Sequence, residues 1–146
     1  MIRIKAVDVQ NILDVCELAT SQDCIGAAME GHICCNAVSI AETKYHAEMH
    51  PNAIYNNDVL IGFFMYKRAE DQAETATICR FIVDDRFQHK GLEEKAMEHI
   101  LRGLKIQGVK KVVLVAEGAD ESIKRLYRAF GFRFTGKAEC CCELAL

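Results

Sequence analysis

The apolar positions along the chain change period several times, and each change marks an element. Ile2 to Ala6 alternates Ile-Arg-Ile-Lys-Ala, the pattern of a half-buried strand. Asp8 can cap a following helix whose inner face would hold Ile12, Val15, Cys16 and Ala19. Residues 20 to 37 show no clean period and carry glycines at 26 and 31, so a loop with room for one short helix is expected. Ser39-Ile-Ala-Glu42 fits a capping box that opens a helix toward His46, and Pro51 marks a break before the next strand. Ala53-Ile-Tyr and Val59 to Tyr66 flank Asn56-Asn57-Asp58, a good hairpin turn. The second of these strands is apolar on both faces, as a central strand covered by helices on each side would be. The acidic stretch Glu70 to Glu74 turns the chain into a strand from Thr75 to Val83. Beyond a short polar turn, Met97, Ile100, Leu101 and Leu104 fall at i, i+3, i+4 and i+7, with Glu94, Lys95, Glu98, Arg102 and Lys105 on the other side. Gly108 is placed to stop this helix. Lys111 to Val115 reads as another buried strand and Ser122 to Ala129 as another helix. Arg133-Phe-Thr and Cys140 to Leu144 can close the sheet as a hairpin around Gly136.

Composition narrows the class. A chain of 146 residues reads as one domain, spanning 1–146, with enough length for a real core. Hydrophobic residues make up 51%, yet no run approaches the ~20 apolar residues of a membrane span. The start, Met-Ile-Arg-Ile-Lys, has charges where a signal peptide needs its apolar region, so export is not expected and a cytoplasmic location is. A formal charge of −3 argues against a general nucleic-acid binder and fits a cationic substrate only mildly. Eight cysteines need an account, and adjacent pairs such as Cys34 and Cys35 suit neither a disulfide scaffold nor spaced zinc ligands. Cys16 and Cys79 lie inside apolar patterns and read as small core hydrophobes; reduced thiols and no metal are expected. A soft-metal or redox role for His32, Cys34 and Cys35, or for Cys140 to Cys142, is the weaker alternative.

The chemistry concentrates between the Thr75–Val83 strand and the helix that follows, at Arg86, Gln88, His89, Lys90 and Gly91. A helix start leaves about four backbone N–H groups unpaired and carries partial positive charge, so it seats a phosphate readily. An ordinary strand–turn–helix connection would have the same spacing. Two motifs separate these readings. Arg86-Phe-Gln-His-Lys-Gly-Leu-Glu93 resembles the pyrophosphate loop of GNAT-superfamily N-acetyltransferases, Gln/Arg-x-x-Gly-x-Gly/Ala, with Gln88 and Gly91 matching and Glu93 standing where Gly or Ala is usual. Asp120 to Phe132 resembles the family's second cofactor segment. Leu126, Tyr127, Gly131 and Phe132 match it, while Asp120 replaces Asn and Ile123 replaces Ala. The region from Ala53 to Asp84 looks most like the bacterial spermine/spermidine acetyltransferase branch.

The resemblance implies an α/β (α+β) fold of GNAT type: a mixed, mostly antiparallel central sheet of about seven strands flanked by helices on both faces. It implies acetyl-CoA as co-substrate, no metal, and a primary amine as acceptor, with a polyamine leading. It places the coenzyme's diphosphate on the backbone of Gln88, His89, Lys90, Gly91, Leu92, Glu93 and Glu94, and the thioester along Phe81, Ile82 and Val83, where the strand splays from its neighbour. Asp120 would retain a hydrogen bond made by the family's Asn, as an acceptor only when ionised, and Tyr127 would protonate the departing thiolate. An amine of pKa near 10 must also lose a proton. Glu48, Asp84, Asp85, Glu117, His46 and His50 are candidates for that base by rough location, with Glu48 and Asp84 put first. The partner expected is a small-molecule amine, with no nucleic acid and no membrane, and a homodimer is left open. The rival reading is an acyl-CoA-binding sensor or interaction domain with decayed activity, motivated by Glu93, Asp120 and Ile123.

Overall fold

The computed structural model describes residues 1–18, 36–115, 121–134 and 141–146. In chain order these form β1 (Ile2–Ala6), α1 (Ile12–Glu17), α2 (Asn36–Glu42), β2 (Met49–Asn56), β3 (Val59–Lys67) and β4 (Thr75–Val83). There follow α3 (Leu92–Ile106), β5 (Lys111–Val115), α4 (Glu121–Ala129), β6 (Arg133–Phe134) and β7 (Cys141–Ala145). The strands make one seven-stranded sheet in the order β1-β2-β3-β4-β5-β7-β6. Every neighbouring pair is antiparallel except β4 and β5, which run parallel and are joined by α3.

The expected hairpin between β2 and β3 forms because Asn57 and Asp58 both take left-handed backbone angles, φ 49° and 65°. That is the handedness a two-residue turn needs to match strand twist, and Asn and Asp tolerate it better than most. Strand β3 is buried on both faces from Ile61 to Met65, as its unbroken apolar run implies. One face packs Ile54, Ile61, Phe64 and Ile78 against Met97, Ile100, Leu101 and Leu104 of α3 and Tyr127 of α4. The other packs Ala53, Phe63 and Met65 against Val15, Leu18 and the half-buried Ile40. Each large apolar side chain contributes about 1.5–3 kcal/mol on burial, against tenths for helix propensity, so the stripe on α3 holds that helix to the sheet.

Three expectations are corrected. Ser39 does not cap a helix; α2 begins at Asn36 and ends at Glu42, and Ser39 lies in mid-helix, fully buried. Cys16 is exposed, because the six-residue α1 turns Val15 inward instead. Pro51 lies within β2, opposite Met65. It is tolerated there because its carbonyl accepts from Val7 N–H, just past the end of β1, so the missing N–H falls where the ladder has stopped. Ala19, Thr135, Gly136 and Cys140 lie outside the described residues.

Strands β3 and β4 approach closely at Gly62, which pairs with Val83. A Cβ built on Gly62 would sit against the Ile82 carbonyl oxygen, inside van der Waals contact. Gly62→Ala should therefore lower the unfolding free energy by about 1–3 kcal/mol in urea denaturation. An unchanged midpoint would show that the two strands can separate at no cost.

Candidate active site

The site is organised by an interruption in β4. The parallel ladder to β5 runs from Thr75↔Lys111 to Ile78↔Leu114, and among the described residues it goes no further. At the same point the antiparallel ladder to β3 slips, with Tyr66 opposite Ile78 but Met65 opposite Arg80, so Cys79 is an extra residue. A bulge bends its strand and breaks the ladder locally. Here it falls where the described ladder to β5 ends, so that among the described residues Arg80 to Val83 pair with β3 alone.

The chain leaves β4 through Asp84, buried at the strand end. Its Oδ1 accepts from Arg86 N–H at 3.0 Å and from Arg86 Nε at 2.8 Å, and its own N–H donates to Ile61 O at 2.8 Å. Hydrogen bonding to Asp84 raises the pKa of the exposed Arg86. Gln88 Nε2 donates back to Val83 O at 2.8 Å, so the side chain of the motif's Gln ties the loop to the strand. His89 and Gly91 then take left-handed backbones, φ 60° and 75°. For His89 this costs about 1–2 kcal/mol, for glycine almost nothing. The first helical bond of α3 to this loop is Lys95 N–H to Gly91 O, which leaves the amides of Leu92, Glu93 and Glu94 without intrahelical acceptors. Glu93 folds back over the loop, its Oε1 accepting from His89 N–H at 3.2 Å. The residue that departs from the family pattern thus occupies one amide of the loop that precedes α3. Lys90 is exposed beside it.

Tyr127 is buried against Phe132, with ring centroids 6.0 Å apart. Burial, and secondarily the Cys142 thiol, pushes its phenol well above 10.0. It is a protonated group throughout the neutral range, able to donate rather than accept a proton.

The acids put forward as bases are not gathered at one place. Glu48, half-buried, lies 3.7 Å from His46 Nδ1 at the start of β2. That end of the sheet is level with Lys67, while Asp84 follows Val83, level with Gly62. Five strand residues at ~3.3 Å each put them roughly 17 Å apart along the sheet. His50 stacks on Tyr66 at that same far end, and Asp85 is exposed. Glu117 and Asp120 are outside the described residues, as are His32, Cys34 and Cys35. Among the described residues no group of three or more His, Cys, Asp or Glu could hold a metal, and no helix is long and apolar enough to cross a membrane.

Two residues that the sequence reading passed over do meet the splayed half of β4. Arg80 comes to the α1/α2 face because of the bulge, and Glu42 at the end of α2 reaches its guanidinium at 3.9 Å. No pattern signals them, since a bulge shifts strand alternation by one without leaving a mark in composition.

Known proteins share this chain's sequence pattern and its fold. The sequence profile of the Acetyltransferase (GNAT) family matches residues 12–132. The chain belongs to that family. It is an N-acetyltransferase that uses acetyl-CoA. A curated relative, the spermine/spermidine N(1)-acetyltransferase of Bacillus subtilis, is 28% identical over 144 residues, covering 94% of this chain and 91% of the relative. An acetyltransferase from Thermus thermophilus has the same fold, with a TM-score of 0.76 at 19% identity over 99% of this chain and 97% of its own. So has the PaiA N-acetyltransferase of Thermoplasma acidophilum, crystallised with coenzyme A, with a TM-score of 0.72 at 16% identity over 100% of this chain and 99% of that one. The expected GNAT-type sheet, flanked by helices on both faces, is the observed one.

The raised Tyr127 pKa carries a stability consequence. The folded state keeps a proton that the unfolded chain releases above about pH 10, so unfolding is favoured as pH rises past that value. Tyr66, also raised by burial, adds in the same direction. Urea denaturation of wild type should lose on the order of 1 kcal/mol more than Tyr127→Phe between about pH 9 and about pH 11. Parallel losses in both proteins would contradict the assignment.

Proposed function

We propose that the 146-residue chain acts as one cytoplasmic domain that transfers acetyl from acetyl-CoA to a primary amine of a small molecule. The observation that carries the site assignment is the coincidence of the Cys79 bulge with the end of the β4–β5 ladder, directly before the Asp84–Gly91 loop. On this reading backbone N–H groups of Phe81, Ile82 and Val83 on the edge of β4 that faces away from β3 polarise the thioester, and the amides from Gln88 to Glu94 take the diphosphate. Asp84, whose carboxylate already holds Arg86, positions the loop rather than removing a proton. Tyr127 supplies the proton for the thiolate. The name of the curated relative supports a polyamine, spermine or spermidine, as acceptor. Arg80, a cation on the opposite face, favours a second class, an amine that also bears an anion.

Incubation of the pure protein with acetyl-CoA and an amine panel, scored for free coenzyme A, tests the reading. Turnover with any amine supports it. Tight acetyl-CoA binding without turnover would instead favour the sensor reading motivated by Glu93, Asp120 and Ile123.

Two variants follow from named side chains. Tyr127→Phe should lower kcat about 100-fold or more with little change in the acetyl-CoA KM, because a proton donor acts on the transition state. An unchanged kcat would mean that water protonates the thiolate. Glu93→Gly frees the His89 amide and removes a like charge from the seat. Two unit charges about 6 Å apart repel by roughly 3 kcal/mol at an effective dielectric near 20, and screening reduces this. The variant should bind acetyl-CoA about tenfold more tightly in calorimetric titration, most clearly at low salt. Equal or weaker binding would show that the diphosphate does not approach Glu93.

A further inference from the structure

The two faces of the splayed half of β4 are built differently. On the α3/α4 side Phe81 joins a continuous apolar cluster. On the α1/α2 side the bulge presents Cys79, Arg80 and Ile82 in place of a strictly alternating pattern, and two polar atoms there have no hydrogen-bond partner among the described residues. Arg80 Nη1 donates to the Cys79 carbonyl at 2.7 Å, and Nη2 is 3.9 Å from Glu42 Oε1, too far for a hydrogen bond. Its Nε is buried with no hydrogen-bond partner among the described residues. Ser39 Oγ is in the same condition. Ser39 and Glu42 are three residues apart on α2, hence on one face of that helix, and Glu42 is the residue that reaches Arg80.

Buried donors without acceptors cost free energy, and a bound group that supplies acceptors is one of the few reasons such an arrangement persists. The guanidinium presents a planar fork suited to a carboxylate, which a hydroxyl can complement. Local charge points the same way. Arg80 and Lys67 both act on the Cys79 thiol from close by, with Glu42 alone opposing them, while burial keeps that thiol protonated. An acceptor that carries a carboxylate meets its complement in the Arg80 guanidinium, the group that Glu42 approaches only at 3.9 Å.

We propose that Arg80, assisted by Ser39, binds a carboxylate on the acceptor, so that the substrate is an amino-acid-like amine and not a purely cationic polyamine. This rests on the acetyl-transfer reading and specifies its acceptor. The amine would then lie on the α1/α2 side of the splay, with Glu42 available to its ammonium group.

The test uses acceptors matched except for one carboxylate: free L-lysine against cadaverine, and L-ornithine against putrescine, with spermidine alongside. Wild type should favour the carboxylate-bearing member of each pair by about tenfold or more in kcat/KM, the scale of a hydrogen bond to a charged group. Arg80→Gln should erase the preference by raising KM for lysine and ornithine far more than KM for cadaverine and putrescine. Arg80→Lys should retain part of it, and Ser39→Ala should weaken it without abolishing it. If Arg80→Gln does not fold, the wild-type comparison and Ser39→Ala still decide. Preference for cadaverine or spermidine, or a lysine preference indifferent to Arg80 and Ser39, would overturn the proposal while leaving acetyl transfer intact. Absence of coenzyme release with every amine would overturn both.

Discussion

A strand inside a sheet is bound to satisfy its backbone on two sides, and among the described residues β4 has a strand on both sides only as far as Ile78. Up to Ile78 it has β3 on one side and β5 on the other; at Cys79 it gains a residue against β3, and among the described residues the ladder to β5 has ended. Buried backbone groups left without partners are costly, so an interrupted strand in mid-sheet is stable only where something else meets them. The neighbouring features depend on this interruption. The bend aims the strand end at the start of α3, Asp84 and Gln88 fasten the intervening loop to it, and left-handed His89 and Gly91 set the amides that follow.

The same bulge gives the two faces of the strand their separate tasks. Without it Arg80 would share a face with Ile78 and lie under α3, among Met97, Ile100 and Leu104, where a charge could not be solvated. With it, the apolar alternation resumes at Phe81 on the α3 side and the polar group emerges toward α2. One local irregularity thus separates an apolar face toward α3 from a face toward α2 that carries charge. This is the sense in which bulges beside active sites are retained features.

Much of this was legible in the sequence for physical reasons. The stripe Met97, Ile100, Leu101 and Leu104 predicts α3 because a 3.6-residue period has no other cheap solution, and all four are buried. Asn57-Asp58 predicts the hairpin because few other residues accept two left-handed positions in a row. What failed were inferences from short windows. Ser39 and Glu42 have the spacing of a capping box, but the helix starts three residues earlier and packing turns Ser39 inward. Cys16 falls at a plausible inward position, yet a six-residue helix has room for only one buried side chain, Val15. Glu93 was identified as a departure from its family, whereas its contact with the His89 amide depends on a backbone angle that no pattern encodes. Arg80 could not be found at all, because strict alternation assigns it to the wrong face.

The central claim is that the half of β4 beyond Ile78, together with the start of α3, forms one acetyl-CoA-binding surface. Hydrogen–deuterium exchange with and without acetyl-CoA tests it most directly, since it reads backbone amides and needs no turnover. The account predicts slowed exchange at residues 79–83 and 89–94, with β1 and β2 unaffected. Protection that spares both segments, or that appears only elsewhere in the sheet, would contradict it.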